Sequence, residues 1–178
     1  MFINWIRTNK VAAWILTVLR VYIGYEWMTA GWGKLTGGFN AGGFLQAAID
    51  KSTGDHPAVQ GWWAAFLENV AMPGVNIFNV MVPLGEFLVG VGLILGTFTT
   101  FAALMGMVMN FAFLFSGTVS TNPEMVLIQI FIVVAGANAG KIGLDRYVLP
   151  YLKAWFTSKK DDGFKAPVMP GKKAKSTV

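Results

Sequence analysis

Four stretches of the chain are apolar over roughly the length of a membrane span. They lie at residues 11–32, 75–95, 98–116 and 124–139, and each is bounded by charge, proline or a polar cluster. A helix needs about 20 apolar residues to cross the hydrocarbon layer. The link Gly96–Thr100 between the second and third stretches is too short for anything but an antiparallel turn. The pattern therefore predicts an all-α fold, an integral membrane four-helix bundle.

A long polar loop, Gly33–Pro73, separates the first two stretches. Within it, residues 43–51 and 59–70 have the pattern of two short amphipathic helices, and the second carries Trp62 and Trp63. Tryptophan at such a position is typical of the membrane interface. These helices either lie flat as a cap on the bundle or roof a cavity that opens to the outer face.

Composition strengthens the membrane interpretation and limits the chemistry. The chain is 54% hydrophobic and only 13% charged, too few ionic side chains to cover a water-soluble domain of 178 residues. It has no cysteine and one histidine, His56. Disulfides, thiolate nucleophiles, iron–sulfur ligands and histidine-built metal or haem sites are therefore excluded within this chain. Any electron transfer must use a bound diffusible molecule or a partner subunit, with no covalently bound cofactor.

The basic residues indicate the orientation. Two of them precede the first span, nine follow the last one, and the long loop carries only Lys34 and Lys51. By the positive-inside rule, both termini are predicted to be cytoplasmic in a bacterial-type cell membrane, with the loop extracytoplasmic. Residues 1–150 form the predicted membrane domain. Residues 151–178 are basic and poor in large apolar residues, which predicts a disordered tail that touches anionic lipid headgroups rather than nucleic acid.

Two ionisable residues are predicted at membrane depth. Arg20 lies nine residues into its span, and Glu86 lies about ten residues from the cytoplasmic end of a span that runs the other way. Counted in this way, both side chains lie about 15 Å from the cytoplasmic surface. A charge in hydrocarbon is costly unless it is paired, so we predict a buried Arg20–Glu86 ion pair. The pair either fixes helix packing or lines a polar cavity.

Other polar and flat side chains fall at a similar depth. Trp27 and Lys34 share a helical stripe with Arg20, and Asn110 and Gln129 lie within the third and fourth spans. Lone amides in spans usually form hydrogen bonds between helices. Several polar helices that meet at one level predict a small polar cavity inside the bundle, where bundle folds place ligands. The predicted cavity residues are Arg20, Trp27, Lys34, Glu86 and Asn110.

Five stretches together resemble the DoxX/DoxD family of four-span membrane proteins. They are Arg20–Lys34, Gly85–Gly96, Asn110–Gly117, Ser120–Pro123 and Ala139–Tyr147. The combination of these motifs in this order and spacing carries the resemblance, which implies a four-span fold.

The same resemblance implies a subunit of a thiosulfate:quinone oxidoreductase, which passes electrons from thiosulfate to quinone. In that case Arg20 and Lys34 would bind the sulfur oxyanion electrostatically, and a quinone or a redox partner subunit would take the electrons. Two other functions stay open. One is a non-enzymatic carrier or binding protein for a small molecule or lipid, and the other is a membrane scaffold for a redox enzyme.

Overall fold

The computed structural model describes residues 1–158, and within them the chain forms helices without a β-strand. The all-α prediction is confirmed. The helices are α1 (Phe2–Thr8), α2 (Lys10–Gly37), α3 (Ala41–Asp50), α4 (Gly61–Phe66), α5 (Val75–Leu95), α6 (Thr99–Phe115), α7 (Asn122–Ala135) and α8 (Asp145–Ser158). A π-helical turn, Leu67–Ala71, follows α4, and a 3₁₀ turn, Gly136–Asn138, follows α7.

Local sequence signals account for the ends of the long helix α2. The side chain of Asn9 accepts hydrogen bonds from the backbone N–H groups of Val11, at 2.7 Å, and Ala12, at 3.3 Å, and so caps the first turn. At the other end Gly38 adopts a left-handed conformation, with φ 75°, and its N–H bonds to the carbonyl of Lys34. The helix is therefore longer than the predicted stretch 11–32 and carries Lys34 within its last turns.

The four longest apolar helices pack side by side. α2 lies against α5 over most of its length, α5 against α6, α6 against α7, and α7 against α2. Their shared core centres on Ile23, Leu93 and Ile132, each fully buried. A second, smaller core joins α3 to the π-helical turn through Leu45 and Leu67. The helical segments predicted at 75–95, 98–116 and 124–139 therefore correspond to α5, α6 and α7.

Glycines let α2 and α5 approach closely as antiparallel neighbours. A Cβ atom on Gly90 would fall on the backbone of Met28 and the carbonyl of Gly24. A Cβ atom on Gly31 would fall on the backbone of Phe87 and Pro83. Residues later in α2 thus face residues earlier in α5, and the two backbones are in direct contact, as small residues permit.

Among the described residues, one helix, Val75–Leu95, is long and apolar enough by length and composition to cross a membrane. Two further segments, Thr99–Phe115 and Asn122–Asn138, are apolar but shorter. The placement of four helices across a membrane therefore stays a prediction.

Helices α1 and α8 have no counterpart in the sequence prediction. α1 packs against α2 and α7, and the side chain of Asn138 holds it by donating to the carbonyls of Ile6, at 2.8 Å, and Asn9, at 3.0 Å. α8 begins before residue 151 and continues to Ser158, so residues 151–158 of the predicted tail are helical. The remainder of that tail lies outside the described residues.

Candidate functional site

A buried ion pair joins α2 to α5. The ammonium nitrogen of Lys34 lies 2.8 Å and 2.6 Å from the two carboxylate oxygens of Glu86. Glu86 is 1% exposed, whereas the Lys34 side chain is 30% exposed and also faces the ring of Phe39, 5.7 Å from its centroid. The carboxylate is thus inside the protein, and its cation lies between it and the outside.

The predicted Arg20–Glu86 pair is therefore wrong. Arg20 is 2% exposed, but its guanidinium donates to backbone carbonyls: those of Leu93 and Ile94, the latter at 3.1 Å, and that of Ile142. Glu86 is instead neutralised by Lys34.

Two physical effects explain why the depth count failed. The first is that α2 and α5 do not begin and end at the same level. Gly90 lies against Met28, and Gly31 lies against Phe87, so Glu86 is level with the part of α2 that follows Gly31, while Arg20 faces the last turn of α5. The beginning of α2 therefore extends past the end of α5.

The second effect is the direction of the side chains. Side chains on an α-helix lean toward its N-terminus. Because α2 and α5 are antiparallel, Lys34 and Glu86 lean toward each other, whereas Arg20 leans away from Glu86 and toward the end of α5. Lys34, in the later part of α2, is thus in a position to pair with Glu86, whereas Arg20 is not.

Arg20 belongs to a second polar group, which we call the terminal clamp: Arg20, Gly96, Gly143 and Asp145. The guanidinium of Arg20 packs against Gly96 and Gly143, where a Cβ atom would collide with it. The carboxylate of Asp145 accepts from the backbone N–H groups of Phe98, at 2.6 Å, and Thr99, at 2.9 Å. Arg20 therefore satisfies the carbonyl end of α5, and Asp145 satisfies the N–H end of α6.

The clamp also compensates for a strained backbone. Phe98 precedes α6 with φ 48°, a left-handed conformation that is unusual for an aromatic residue. The bond from its N–H to Asp145 holds it there, and the N–H of Asp145 bonds in turn to the carbonyl of Gly96 at 2.7 Å. This cluster is a structural device at the α5–α6 turn.

Between the ion pair and the terminal clamp lies a third group, which we call the central layer: Trp27, Gly106, Asn110 and Gln129. The amide nitrogen of Asn110 donates to the amide oxygen of Gln129 at 2.9 Å, and both side chains are fully buried. The indole of Trp27 is 3% exposed and lies beside Gly106. The layer thus joins α2, α6 and α7 through polar groups.

The predicted cavity residues therefore occupy three levels rather than one. Arg20 lies in the terminal clamp, Trp27 and Asn110 lie in the central layer, and Lys34 and Glu86 form the ion pair. Sequence reasoning missed Asp145. The sequence did contain a signal for it: Asp145 is an acidic residue that directly follows a glycine-rich segment, and such a side chain can cap the start of a helix. The helix that it caps, α6, has no capping side chain of its own.

Comparison with known proteins supplies a family. Neither the curated proteins nor the solved structures contain a significant match to the chain. The family model described as DoxX matches residues 15–118, which include Arg20, Lys34, Glu86 and Asn110. The match covers more than half of the sequence and confirms the resemblance. The chain therefore belongs to the DoxX family of membrane proteins.

Proposed function

We propose that this chain is a multi-pass protein of a bacterial-type cell membrane and a component of a quinone-linked oxidoreductase, similar to thiosulfate:quinone oxidoreductase. In this proposal α2, α5, α6 and α7 cross the membrane and both termini are cytoplasmic. The observation that carries it is the Lys34–Glu86 ion pair, because a carboxylate buried inside an apolar bundle is energetically costly and marks a functional site.

The distribution of side chains supports the membrane placement. Large apolar residues on all four long helices are exposed, among them Val18 at 67%, Ile77 at 67%, Phe101 at 63% and Leu127 at 57%. Several charged and amide side chains of these helices are instead buried within the bundle, namely Arg20, Glu86, Asn110 and Gln129. This is the reverse of a water-soluble helical protein and suits a bundle whose outer surface contacts lipid.

The ion pair supports the quinone chemistry. A quinone takes up two electrons and two protons when it is reduced to a quinol. The Lys34 ammonium can donate a hydrogen bond to a quinone oxygen and pass it a proton, and the Glu86 carboxylate then favours reprotonation of Lys34 from its exposed side. The second proton of the quinol follows by the same route. The chain has no cysteine, so the electrons would arrive from a sulfur oxyanion held near Lys34 or from a redox partner subunit.

The proposal is tested on protein purified in a mild detergent. Quinone should be extractable from the wild-type protein, and thiosulfate-dependent reduction of added quinone should be measurable in membranes. Glu86→Gln should abolish that reduction, whereas Glu26→Gln, which removes a partly exposed carboxylate from α2, should not. Folded protein without quinone and without activity would contradict the proposal.

A carrier or binding protein for a small molecule is the second candidate. It is favoured by the unequal exposure of the ion pair, 30% for Lys34 and 1% for Glu86, which suits access from one side only. In this case purified protein in liposomes should take up or bind the molecule without any electron donor, and Lys34→Met should remove that uptake. A third role, as a membrane scaffold, predicts that such substitutions change stability alone.

A further inference from the structure

The central layer contains three buried polar atoms without a hydrogen-bond partner in the protein. They are the indole nitrogen of Trp27, the amide nitrogen of Gln129 and the amide oxygen of Asn110. Trp27 is 3% exposed, and the two amide side chains are fully buried. A buried donor or acceptor left unpaired costs about 1–3 kcal/mol, and the cost rises where water is excluded.

Two of these atoms, the nitrogens of Trp27 and Gln129, lie beside the same residue of α6, and the third belongs to the amide group that is bonded to Gln129. A Cβ atom on Gly106 would lie 3.1 Å from the indole nitrogen of Trp27 and would collide with the amide nitrogen of Gln129. Both nitrogens therefore flank the same side of α6, where Gly106 has no side chain. Asn110 lies one helical turn further along α6 and is bonded to Gln129, so its free oxygen belongs to the same cluster.

The three atoms define the chemistry of a ligand. Trp27 and Gln129 offer N–H donors, and Asn110 offers an acceptor. Their complement is an oxygen that accepts two hydrogen bonds and donates one, which is a hydroxyl oxygen. An anion would lack the proton for Asn110, and a cation would face two donors.

We propose that the central layer binds one hydroxyl oxygen, which accepts hydrogen bonds from Trp27 and Gln129 and donates one to Asn110. The oxygen belongs to a water molecule or to the hydroxyl group of a small neutral ligand. This inference goes beyond the proposed function, because the site is separate from the Lys34–Glu86 pair and requires no electron transfer.

The test removes single N–H groups without changing shape. Benzothienylalanine replaces the indole N–H of tryptophan by sulfur, and it can be incorporated singly at Trp27, Trp63 or Trp14. Trp63 is the paired control, since its indole donates to the hydroxyl of Ser116 at 2.9 Å. Trp14 is the unpaired control, since it is 63% exposed on the apolar surface. The Tm of each protein is measured in detergent.

We expect the replacement at Trp27 to lower the Tm by about 2–4 °C, as at Trp63, while the replacement at Trp14 leaves it unchanged. An unchanged or higher Tm at Trp27 would overturn the inference, because removing a donor that has no partner relieves a cost. The shape is kept, so lost packing volume does not produce the fall.

A second measurement distinguishes the two sources of the oxygen. Solvent extracts of wild-type protein and of Gly106→Ala, whose added methyl group would displace the Gln129 amide beside the site, are compared by mass spectrometry. A hydroxyl compound present only in the wild-type extract identifies a small ligand. A fall in Tm without such a compound identifies water. Absence of quinone from both extracts contradicts the proposed function and leaves this inference standing, because its own criterion is the Tm at Trp27.

Discussion

The charged residues at membrane depth have partners that differ in kind. Glu86 is paired with another side chain, Lys34, whereas Arg20 is satisfied by backbone carbonyls at the end of α5. A lysine is a compact charge on a flexible stem and can follow a single carboxylate. The planar guanidinium of arginine presents several donors at fixed angles, so it can serve several carbonyls at once. Each site therefore uses the cation that suits its acceptors.

The ion pair predicts strong coupling between its members. Lys34→Met leaves Glu86 buried without a cation and should lower the free energy of unfolding by about 3 kcal/mol. Lys34→Met combined with Glu86→Gln should cost less than Lys34→Met alone, because no buried charge is left over. Denaturant titration in mixed micelles measures these differences. Equal losses in the single and double variants would show that the pair does not neutralise Glu86.

Arg20 and Glu86 should behave independently. They belong to separate clusters, so the losses of Arg20→Ala and Glu86→Ala should add to within about 0.5 kcal/mol. A direct Arg20–Glu86 pair would instead make the double variant less damaged than Arg20→Ala, because no unpaired charge would remain. The same titration decides between them, and a double variant as stable as Glu86→Ala would restore the direct pair.

At the level of helices, α2 and α5 form the closest contact in the described part of the chain. Two glycines on α2 allow a comparison of the same substitution inside and outside this contact. A methyl group on Gly31 would collide with the backbone of α5, whereas Gly33 has open space beside it. Gly31→Ala should therefore destabilise the protein by about 1–3 kcal/mol. Gly33→Ala should stabilise it by up to about 1 kcal/mol, because alanine favours the helix. Thermal unfolding in detergent checks both, and equal effects would contradict the close contact.

Many of the helices and their bounds were predictable from the sequence. Period and length placed α5, α6 and α7 within a few residues of their observed ends, since long apolar runs leave few alternatives. Helices α1 and α8 were missed because they are short or only moderately apolar and depend on contacts such as that of Asn138 with Ile6. The partner of Glu86 was missed for a different reason. Depth counted along a sequence assumes that neighbouring helices end together, and α2 extends past α5.

At the scale of the whole molecule, the proposed topology has a direct test. The chain has no native cysteine, so single cysteines can be placed without altering the background. Thr53→Cys lies in an exposed part of the loop between α3 and α4, and Asn4→Cys is exposed on α1. A membrane-impermeant maleimide should label Thr53→Cys in intact cells and Asn4→Cys only after the membrane is opened. The reverse pattern would invert the proposed orientation.

The terminal clamp also sets an order of events during synthesis. Arg20 is synthesised before α5, α6 and α7, whereas Ile142 and Asp145 follow only after all four long helices have been made. Until then the guanidinium lacks the carbonyl of Ile142, and the start of α6 lacks its cap. The terminal clamp therefore forms late, when the start of α8 reaches the turn between α5 and α6. A chain that stops at residue 118, where the family match ends, would lack Gly143 and Asp145 and could not form the terminal clamp.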